Sequence, residues 1–200
     1  GEFAPMLMEQ AMAAGVGFQM AGATALRLND PYWIVATDDG DYSAKAVILA
    51  MGSSLKKLGV PGEEKLRGRG VSTCATCDGP FFQDQVVCVI GAGDSAMDEA
   101  EVLSGFASRV VLFQRRDKMR AQKVLQERVF ELDNVNVVSN IEVQEIIGDE
   151  EVTGVKTKEV ATGETSQVDL QGVFIYVGLE PNTCFLEGTI PMDNAGHIPT

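Results

Sequence analysis

A short apolar strand that runs into a glycine-rich turn is the feature that most constrains the fold of this chain of 200 residues. Residues 86–90 read Val-Val-Cys-Val-Ile and are followed directly by Gly91, Ala92, Gly93, Asp94, Ser95 and Ala96. In such a Gly-x-Gly-x-x-Ala turn the first glycine permits a tight bend, the second lets a phosphate approach the backbone, and the small last residue lets the following helix pack against the sheet. Amides at the start of that helix bind the anion. The sequence therefore predicts that this turn binds a dinucleotide cofactor.

The residues after the next strand indicate which dinucleotide is bound. An NAD site usually has Asp or Glu about 20 residues beyond the turn, where the carboxylate binds the ribose hydroxyls. Here residues 109–113 are the second strand, and Gln114, Arg115 and Arg116 follow it. Guanidinium groups bind phosphate through two parallel hydrogen bonds, so we expect Arg115 and Arg116 to bind a 2′-phosphate. The predicted cofactor is therefore NADPH rather than NADH.

The basic residues of this acidic chain are concentrated near that site. The net charge is −13, which disfavours partners such as nucleic acid or an anionic membrane. Seven of the 16 Lys and Arg residues nevertheless lie within residues 109–128. We interpret the last of these as an exposed helix face and the adjacent Arg115 and Arg116 as an anion site. The sequence has no apolar run long enough to span a bilayer, and we expect a cytoplasmic protein.

Cys74 and Cys77 form a Cys-x-x-Cys pair shortly before the glycine turn. Such a pair can close a small disulfide that stores two electrons. A zinc site is the alternative, but it needs four ligands, and the chain has no second Cys-x-x-Cys and a single histidine. Asp78 is either an ordinary turn residue or a proton donor to a leaving thiolate. Cys88, in an apolar strand, is predicted to be a core residue, and Cys184 has no obvious partner.

Apolar periodicity along the chain predicts an α/β fold, with a three-layer, Rossmann-like nucleotide-binding domain made of a parallel sheet and an antiparallel β-meander. The parallel strands are predicted at 86–90, 109–113, 135–138 and 173–177, and the helices between them at 94–106 and 121–132. The meander is predicted at 141–147, 152–159 and 165–170. The first part of the chain is predicted to form a helix at 5–14 and strands at 16–28, 32–37 and 41–50. In the first Rossmann-like helix, the side chains predicted to face inward are Ala96, Ala100, Leu103 and Ala107.

Over essentially all of its length the chain resembles the low-molecular-weight, bacterial-type thioredoxin reductases. Four segments carry the resemblance, namely the redox motif at 74–79, the nucleotide turn at 91–96, the 2′-phosphate motif at 115–120 and the domain-return segment at 178–183. The resemblance implies electron flow from NADPH to FAD, then to the disulfide, and then to thioredoxin or a thioredoxin-like protein. It also implies that the full-length protein is a homodimer.

The resemblance assigns roles to individual residues of the redox motif. It implies that Cys77 is the sulfur that faces the flavin, that Cys74 attacks the disulfide of the partner protein, and that Asp78 donates the proton. In the nucleotide site it implies that Arg120 joins the two preceding arginines around the 2′-phosphate. Gly178 is also assigned to the cofactor site.

The domain organisation follows from the same resemblance. Residues 1–55 are expected to be a partial FAD-binding domain, 56–178 the inserted NADPH-binding domain that carries the redox pair, and 179–200 the start of the return into the FAD-binding domain. The family begins with its own glycine-rich FAD turn and ends with a Gly-Asp motif, and neither is in this sequence. We therefore expect an internal piece of a longer reductase, which binds NADPH but by itself neither holds FAD nor reduces thioredoxin with electrons from NADPH.

Two other functions are open at this stage. A related flavin-dependent dithiol oxidoreductase could keep the cysteine pair and take electrons from a donor other than NADPH, although the paired arginines argue against it. A non-catalytic NADP-binding module is the other alternative. A flavin absorbance band in the purified protein would distinguish the enzymes from the module.

Overall fold

The computed structural model describes residues 3–199 and divides them into two compact units. The central unit is continuous from Ser54 to Glu180, and the terminal unit combines residues 3–53 with residues 181–199. All residues assigned above to the redox pair or to the cofactor lie in the central unit. The assignment of the two units to NADPH and FAD remains a prediction.

Residues 3–199 fold into short helices and strands. In chain order, these elements are α1 (Phe3–Ala13), β1 (Ala23–Asn29), β2 (Tyr32–Thr37), β3 (Gly40–Ala44), β4 (Ser53–Leu55), β5 (Val71–Ser72), α2 (Ala75–Asp78), β6 (Val86–Ile90), α3 (Asp94–Ser104), β7 (Arg109–Phe113), α4 (Lys123–Phe130), β8 (Val135–Val138), β9 (Ile141–Gly148), β10 (Val152–Glu159), β11 (Thr165–Asp169), β12 (Gly172–Ile175) and β13 (Leu179–Pro181). Short 3₁₀ turns cover Gly79–Phe82 and Cys184–Leu186.

A five-stranded parallel sheet forms the middle of the central unit. Its order is β5-β12-β6-β7-β8, so β6 lies between β12 and β7. All of its strands point the same way, which places their carboxyl ends at one edge. In open α/β sheets that edge is where ligands bind. The glycine turn that follows β6 is therefore at the edge where a cofactor is expected.

Both faces of the parallel sheet are buried, and successive side chains alternate between them. Val87 and Val89 of β6 pack in the cluster that includes α3 and α4, whereas Cys88 and Ile90 pack in the cluster of the opposite face. A parallel strand covered on both sides reads as a continuous apolar run, which is the pattern seen at Val86–Ile90. Cys88 is fully buried, as predicted.

The antiparallel meander covers the face opposite the helices. Strands β9, β10 and β11 pair in the order β11-β10-β9. Val143 and Ile146 of β9, with Val152 and Val155 of β10, belong to the same buried cluster as Cys88. The predicted layers of helices, parallel sheet and antiparallel meander are therefore confirmed.

Helix α3 buries one narrow face on the sheet. Ala96, Ala100 and Leu103 have no exposed surface, and Ala107 just after the helix is also buried, as predicted. The helix ends earlier than predicted, because Gly105 caps it after Ser104. The small alanines let α3 lie close to the sheet, which fixes the position of its first turn.

The terminal unit contains an antiparallel sheet of order β1-β2-β3. Leu26 of β1 and Leu186 are buried there, and Thr189 Oγ1 donates a hydrogen bond to the carbonyl of Leu26 at 3.0 Å. Helix α1 has no buried side chain. The two connections between the units are β4 and β13, which pair with each other. None of the helices in residues 3–199 is long and apolar enough to cross a membrane.

Several predicted boundaries in the terminal unit were wrong. The strands predicted at 16–28 and 41–50 are shorter, because β1 begins at Ala23 and β3 ends at Ala44. The omitted stretches are apolar but exposed, with Met20 at 86% and Ile48 at 93% of full exposure. Apolar composition alone does not make a strand; the backbone also needs a neighbouring strand to pair with. In the central unit α4 is likewise shorter than the predicted helix at 121–132.

The packing of α3 yields a stability prediction with an internal control. Leu103→Ala should lower the free energy of unfolding by about 2–5 kcal/mol, because the side chain is fully buried between α3 and the sheet. Val102→Ala, one residue earlier and on the exposed side of α3, should change the free energy of unfolding by less than about 1 kcal/mol. Urea unfolding followed by far-UV circular dichroism would measure both. Equal effects of the two substitutions would contradict the packing described.

Candidate functional site

The turn between β6 and α3 is open where a phosphate would approach. Helix α3 begins after Gly93, and no side chain caps its first turn. Amides in the first turn of a helix have no acceptor within the helix, so those of Asp94 and Ser95 are available to an anion. No atom lies within 4 Å of the position that a Cβ on Gly93 would take. The backbone here has the accessibility that the motif predicts.

Gly91 is fixed by close contact with the end of β12. Its φ is +152°, and an added Cβ would lie 2.3 Å from the carbonyl oxygen of Tyr176 and 3.1 Å from the Cβ of Ala96. The amide of Gly91 donates to the carbonyl of Phe113 at the end of β7. The first residue of the turn therefore has to be glycine, and the last has to be small because Ala96 is fully buried.

The loop that carries the arginines is tied to the glycine turn. The carbonyl of Ala92 accepts hydrogen bonds from the amides of Arg120 and Ala121, at 2.9 and 3.1 Å. The Asp94 carboxylate accepts from the side chain and the backbone amide of Gln122, at 3.0 and 2.8 Å. These hydrogen bonds hold the pKa of Asp94 below its usual value. The carboxylate of Asp94 thus anchors the loop, and its backbone amide is the group that faces an anion.

These two segments line a cleft of about 550 Å³ in the central unit. Gly91 and Ala92 form part of it, Ile90 and Val177 contribute apolar surface, and Glu142 is its single acidic residue. Its six basic residues are Lys56, Lys57, Arg115, Arg116, Lys118 and Arg120. A strongly cationic cleft in a chain of net charge −13 suits a ligand with several phosphates. The residues therefore fit a dinucleotide that carries a 2′-phosphate.

Two residues near the cleft are placed differently from their neighbours. The side chain of Gln114 is buried, and its Nε2 donates to Ser139 Oγ at 2.6 Å, so it points away from the arginines that follow it. Gly178 has a φ of +113°, and its carbonyl accepts from the amide of Lys56 at 2.9 Å. Val177 lines the cleft, but Gly178 does not.

Cys74 and Cys77 are joined by a disulfide at the start of α2, with their Cα atoms 5.3 Å apart. Cys74 is the N-cap residue of this short helix, and its sulfur accepts a hydrogen bond from the amide of Cys77 at 3.2 Å. Cys77 is exposed and Cys74 is half-buried. Cys88 and Cys184 are free, the first buried and the second exposed. Burial raises the pKa of the Cys88 thiol, which leaves it protonated and unreactive.

Asp78 is held beside the disulfide by Ser72. The Ser72 hydroxyl donates to Asp78 Oδ2 at 2.6 Å and accepts from the amide of Cys74 at 3.0 Å. The Asp78 carboxylate is thus linked through one hydroxyl to the backbone of Cys74. The role of Asp78, as proton donor or as turn residue, stays a prediction.

The backbone amide of Ala75, the residue after Cys74, donates hydrogen bonds to two side chains from outside the redox motif. Ala75 N donates to Glu99 Oε2 at 2.9 Å and to Tyr176 Oη at 3.0 Å. Glu99 belongs to α3, and Tyr176 follows β12 and also lines the cleft. Burial and the adjacent Glu99 carboxylate raise the pKa of the Tyr176 hydroxyl, so it stays neutral near pH 7.

Sequence reasoning missed several residues of this site. They are Lys56, Lys57, Ser72, Glu99 and Tyr176. Tyr176 could have been found, since a polar aromatic residue at the carboxyl end of a buried parallel strand stands where α/β proteins bind ligands. The others are brought in by tertiary contacts that no local pattern reports. Among residues 3–199, no group of three or more His, Cys, Asp or Glu side chains could hold a metal ion.

Comparison with known proteins gives a consistent set of relatives. The sequence profile of the pyridine nucleotide-disulphide oxidoreductases matches residues 9–200. The chain is 43% identical to a thioredoxin reductase of Mycolicibacterium smegmatis over 197 residues, covering 98% of this chain and 63% of that protein. It is 40% identical to a thioredoxin reductase of Treponema pallidum, covering all of this chain and 64% of that protein.

Solved structures of similar proteins include two thioredoxin reductases. The Lactococcus lactis enzyme has a TM-score of 0.85 at 39% identity, covering 98% of this chain and 65% of that one. The T. acidophilum enzyme has a TM-score of 0.83 at 33% identity, with the same coverage. The chain therefore spans just under two thirds of the length of these relatives.

The four cysteines should differ in their reaction with iodoacetamide. In the folded, oxidised chain only Cys184 should be alkylated, because the disulfide protects two sulfurs and burial protects Cys88. A reductant should expose Cys74 and Cys77, and only denaturation should expose Cys88. Mass spectrometry of the labelled peptides would measure this order. Alkylation of Cys88 in the folded protein would contradict its placement.

Proposed function

Because this chain belongs to the pyridine nucleotide-disulphide oxidoreductase family, we propose that it is part of an NADPH-dependent thioredoxin reductase. The observation that carries the proposal is a Cys-x-x-Cys disulfide in the same compact unit as a glycine turn and a cleft with six basic residues. The relatives named thioredoxin reductase support a thioredoxin-like protein as the substrate. The activity proposed is that of the whole protein, of which this chain supplies the nucleotide site and the redox pair.

The cleft and the start of α3 would together supply the groups that NADPH needs: Gly91 and Ala92 line the cleft, whereas residues 93–96 of the turn lie outside its lining. The amides after Gly93 would hold the pyrophosphate, since no side chain caps the first turn of α3. Arg115, Arg116 and Arg120 would hold the 2′-phosphate. The hydrogen bonds that the amides of Arg120 and Ala121 donate to the carbonyl of Ala92 keep that loop beside the turn. When bound, NADPH would supply a hydride, and a flavin would be the cofactor able to pass its two electrons to a disulfide.

Residues 3–199 contain one strand–turn–helix segment of the dinucleotide-binding type, and we assign that segment to NADPH. Residues 3–199 therefore contain no second turn of this type that could hold the pyrophosphate of FAD. The chemistry that the chain itself can perform is the thiol–disulfide exchange that follows reduction of its cysteine pair.

The exchange needs only the cysteine pair, a proton donor and the disulfide of the partner protein. Reduction of the Cys74–Cys77 disulfide by two electrons and two protons gives two thiols. The Cys74 thiolate then attacks one sulfur of the partner disulfide, forms a mixed disulfide and displaces the other partner sulfur as a thiolate. Cys77 next attacks the sulfur of Cys74, which restores the intramolecular disulfide and releases the second partner thiolate. Asp78, held by Ser72, would supply protons to the leaving thiolates.

The two sulfurs have different proposed roles. The assignment of Cys74 as the attacking thiol and Cys77 as the resolving thiol rests on the resemblance to thioredoxin reductases. Exposure alone does not make this choice, because Cys77 is the more exposed residue of the pair. A variant that lacks the resolving sulfur can distinguish the two roles, because its mixed disulfide with the partner protein would persist.

NADPH should bind at least tenfold more tightly than NADH. Charge-assisted hydrogen bonds to a phosphate contribute about 1.5–3 kcal/mol each, and each 1.4 kcal/mol is about tenfold in affinity. Arg115→Ala combined with Arg116→Ala should remove the preference, whereas Arg128→Ala on the exposed side of α4 should keep it. Fluorescence titration with both cofactors would measure it. Equal affinities in the unmodified chain would favour a flavoprotein with another electron donor.

The reduced chain should transfer two electrons to oxidised thioredoxin in a single turnover, without any flavin. The chain is reduced with dithiothreitol, freed of it and mixed with thioredoxin, and thioredoxin thiols are counted by alkylation and mass spectrometry. Cys77→Ser should trap a mixed disulfide through Cys74, because the resolving sulfur is absent. Cys74→Ser is the matched control and should trap none.

Two results would count against this part of the proposal. If thioredoxin stays oxidised while the chain's own pair is fully reduced, the partner assignment is wrong. If Cys74→Ser traps the mixed disulfide and Cys77→Ser does not, the partner is supported but the two sulfurs exchange roles.

A further inference from the structure

We propose that Glu99, positioned by the hydroxyl of Tyr176, keeps the Cys74–Cys77 pair strongly reducing by placing a negative charge beside Cys74. The inference rests on the proposed function in one respect, namely that the pair cycles between disulfide and dithiol. Neither Glu99 nor Tyr176 belongs to the redox motif itself, and both reach it from other elements of the central unit. Glu99 is a positioning residue here, because it acts on the sulfur through the amide of Ala75.

The geometry joins three elements at one amide. Ala75 follows Cys74 directly, and its side chain has no exposed surface. Its N–H is shared between Glu99 Oε2 at 2.9 Å and Tyr176 Oη at 3.0 Å. The two acceptors therefore lie side by side at one N–H, and burial together with the charge of the adjacent Glu99 carboxylate raises the pKa of the Tyr176 hydroxyl. The contact is shielded from water, because Tyr176 is 9% exposed and Glu99 is half-buried.

This arrangement opposes the groups that would stabilise a thiolate at Cys74. The sulfur accepts a hydrogen bond from the amide of Cys77 at the N-terminus of α2, which favours a thiolate, but the N–H of Ala75 is engaged by two oxygen acceptors instead. The carboxylate of Glu99 adds a negative charge at the same place, and a like charge raises a thiol pKa. Asp78 acts in the same direction, because it reaches the amide of Cys74 through Ser72. The Tyr176 hydroxyl is neutral and adds no charge.

The effect on reducing power follows from thiol–disulfide chemistry. A protein that stabilises its reduced, thiolate form has an oxidising disulfide, so a protein that destabilises the thiolate has a reducing dithiol. A pair that must pass electrons on to another disulfide benefits from a destabilised thiolate, because its dithiol is then the stronger reductant. Dithiothreitol can serve as the exchange partner, since its dithiol reduces the Cys74–Cys77 disulfide and becomes a cyclic disulfide with no net loss of electrons or protons.

Glu99→Gln tests the charge without removing the hydrogen bond, because the amide oxygen of Gln can still accept from Ala75 N. The chain is equilibrated with mixtures of reduced and oxidised dithiothreitol, quenched by alkylation and analysed by mass spectrometry. At a pH that ionises the Cys74 thiol, the equilibrium should shift toward the dithiol by about three- to tenfold, which is about 15–30 mV for a two-electron couple. At a pH where both thiols of the reduced pair are protonated, this shift should vanish, because Glu99 acts on the thiolate. In that lower pH range the rate of Cys74 alkylation should instead rise by a similar factor, since a larger fraction is thiolate.

Glu101→Gln is the matched control, because Glu101 lies on the same helix and is exposed. It should leave the equilibrium and the alkylation rate unchanged. Tyr176→Phe tests the positioning role: in its background, Glu99→Gln should cause a smaller shift, since the carboxylate is no longer held on the Ala75 amide. Additive shifts would overturn the role of Tyr176.

The outcomes separate the two proposals. An unchanged equilibrium in Glu99→Gln, with Cys88 still protected from alkylation as evidence of an intact fold, would overturn the role of Glu99. A shift toward the disulfide would overturn it as well. If the pair fails to cycle reversibly in the unmodified chain, the proposed disulfide reductase function is wrong, and the role of Glu99 in setting the reducing power of the pair is overturned with it.

Discussion

Burial of both faces of the parallel sheet is the constraint on which the rest of the central unit depends. It fixes β6 between β12 and β7, so the ends of these three strands meet at one edge. The glycine turn follows β6, the arginine loop follows β7, and Tyr176 follows β12. The groups of the candidate site are thus brought together by strand order rather than by proximity in sequence, since Tyr176 and Ala75 are 101 residues apart.

The same packing decides which sulfurs can react. Cys88 lies in the middle strand, where burial raises its thiol pKa and excludes reagents. Cys74 and Cys77 lie at the start of α2 and belong to neither buried cluster. Ala75, which follows Cys74 directly, is packed in the cluster that includes α3 and α4. The redox pair is therefore reachable at its sulfurs but anchored at its backbone. Side chains from two other elements provide that anchor.

Much of the central unit could be predicted from sequence because its signals are local. The apolar run at 86–90, the glycine turn and the pair Arg115-Arg116 each carry their physical meaning within a few residues, and the strands, helices and meander were found where the patterns placed them. Glu99 and Tyr176 could not be predicted in the same way. Their function depends on contact with Ala75, and a contact between three elements leaves no mark in local periodicity.

The errors in the terminal unit have the same origin. Residues 16–22 and 45–50 are apolar enough to suggest strands, yet the described chain offers their backbones no neighbouring strand. Whether a segment forms a strand depends on the neighbouring strand as well as on its own sequence. The prediction of a strand was therefore correct where the described residues provide a pairing strand, as β7 and β12 do for β6, and wrong where no such pairing is described.

The uneven charge of the central unit has a consequence for its response to salt. The cleft gathers six basic residues, many of them exposed, so its attraction for a phosphorylated ligand is screened within about 8 Å at physiological ionic strength. The acidic group beside Cys74 acts through a hydrogen bond of 2.9 Å and is partly shielded from water. Added salt should thus weaken binding of a phosphorylated ligand while leaving the chemistry of the cysteine pair almost unaffected. Ionic strength therefore separates the electrostatics of the cleft from those of the cysteine pair.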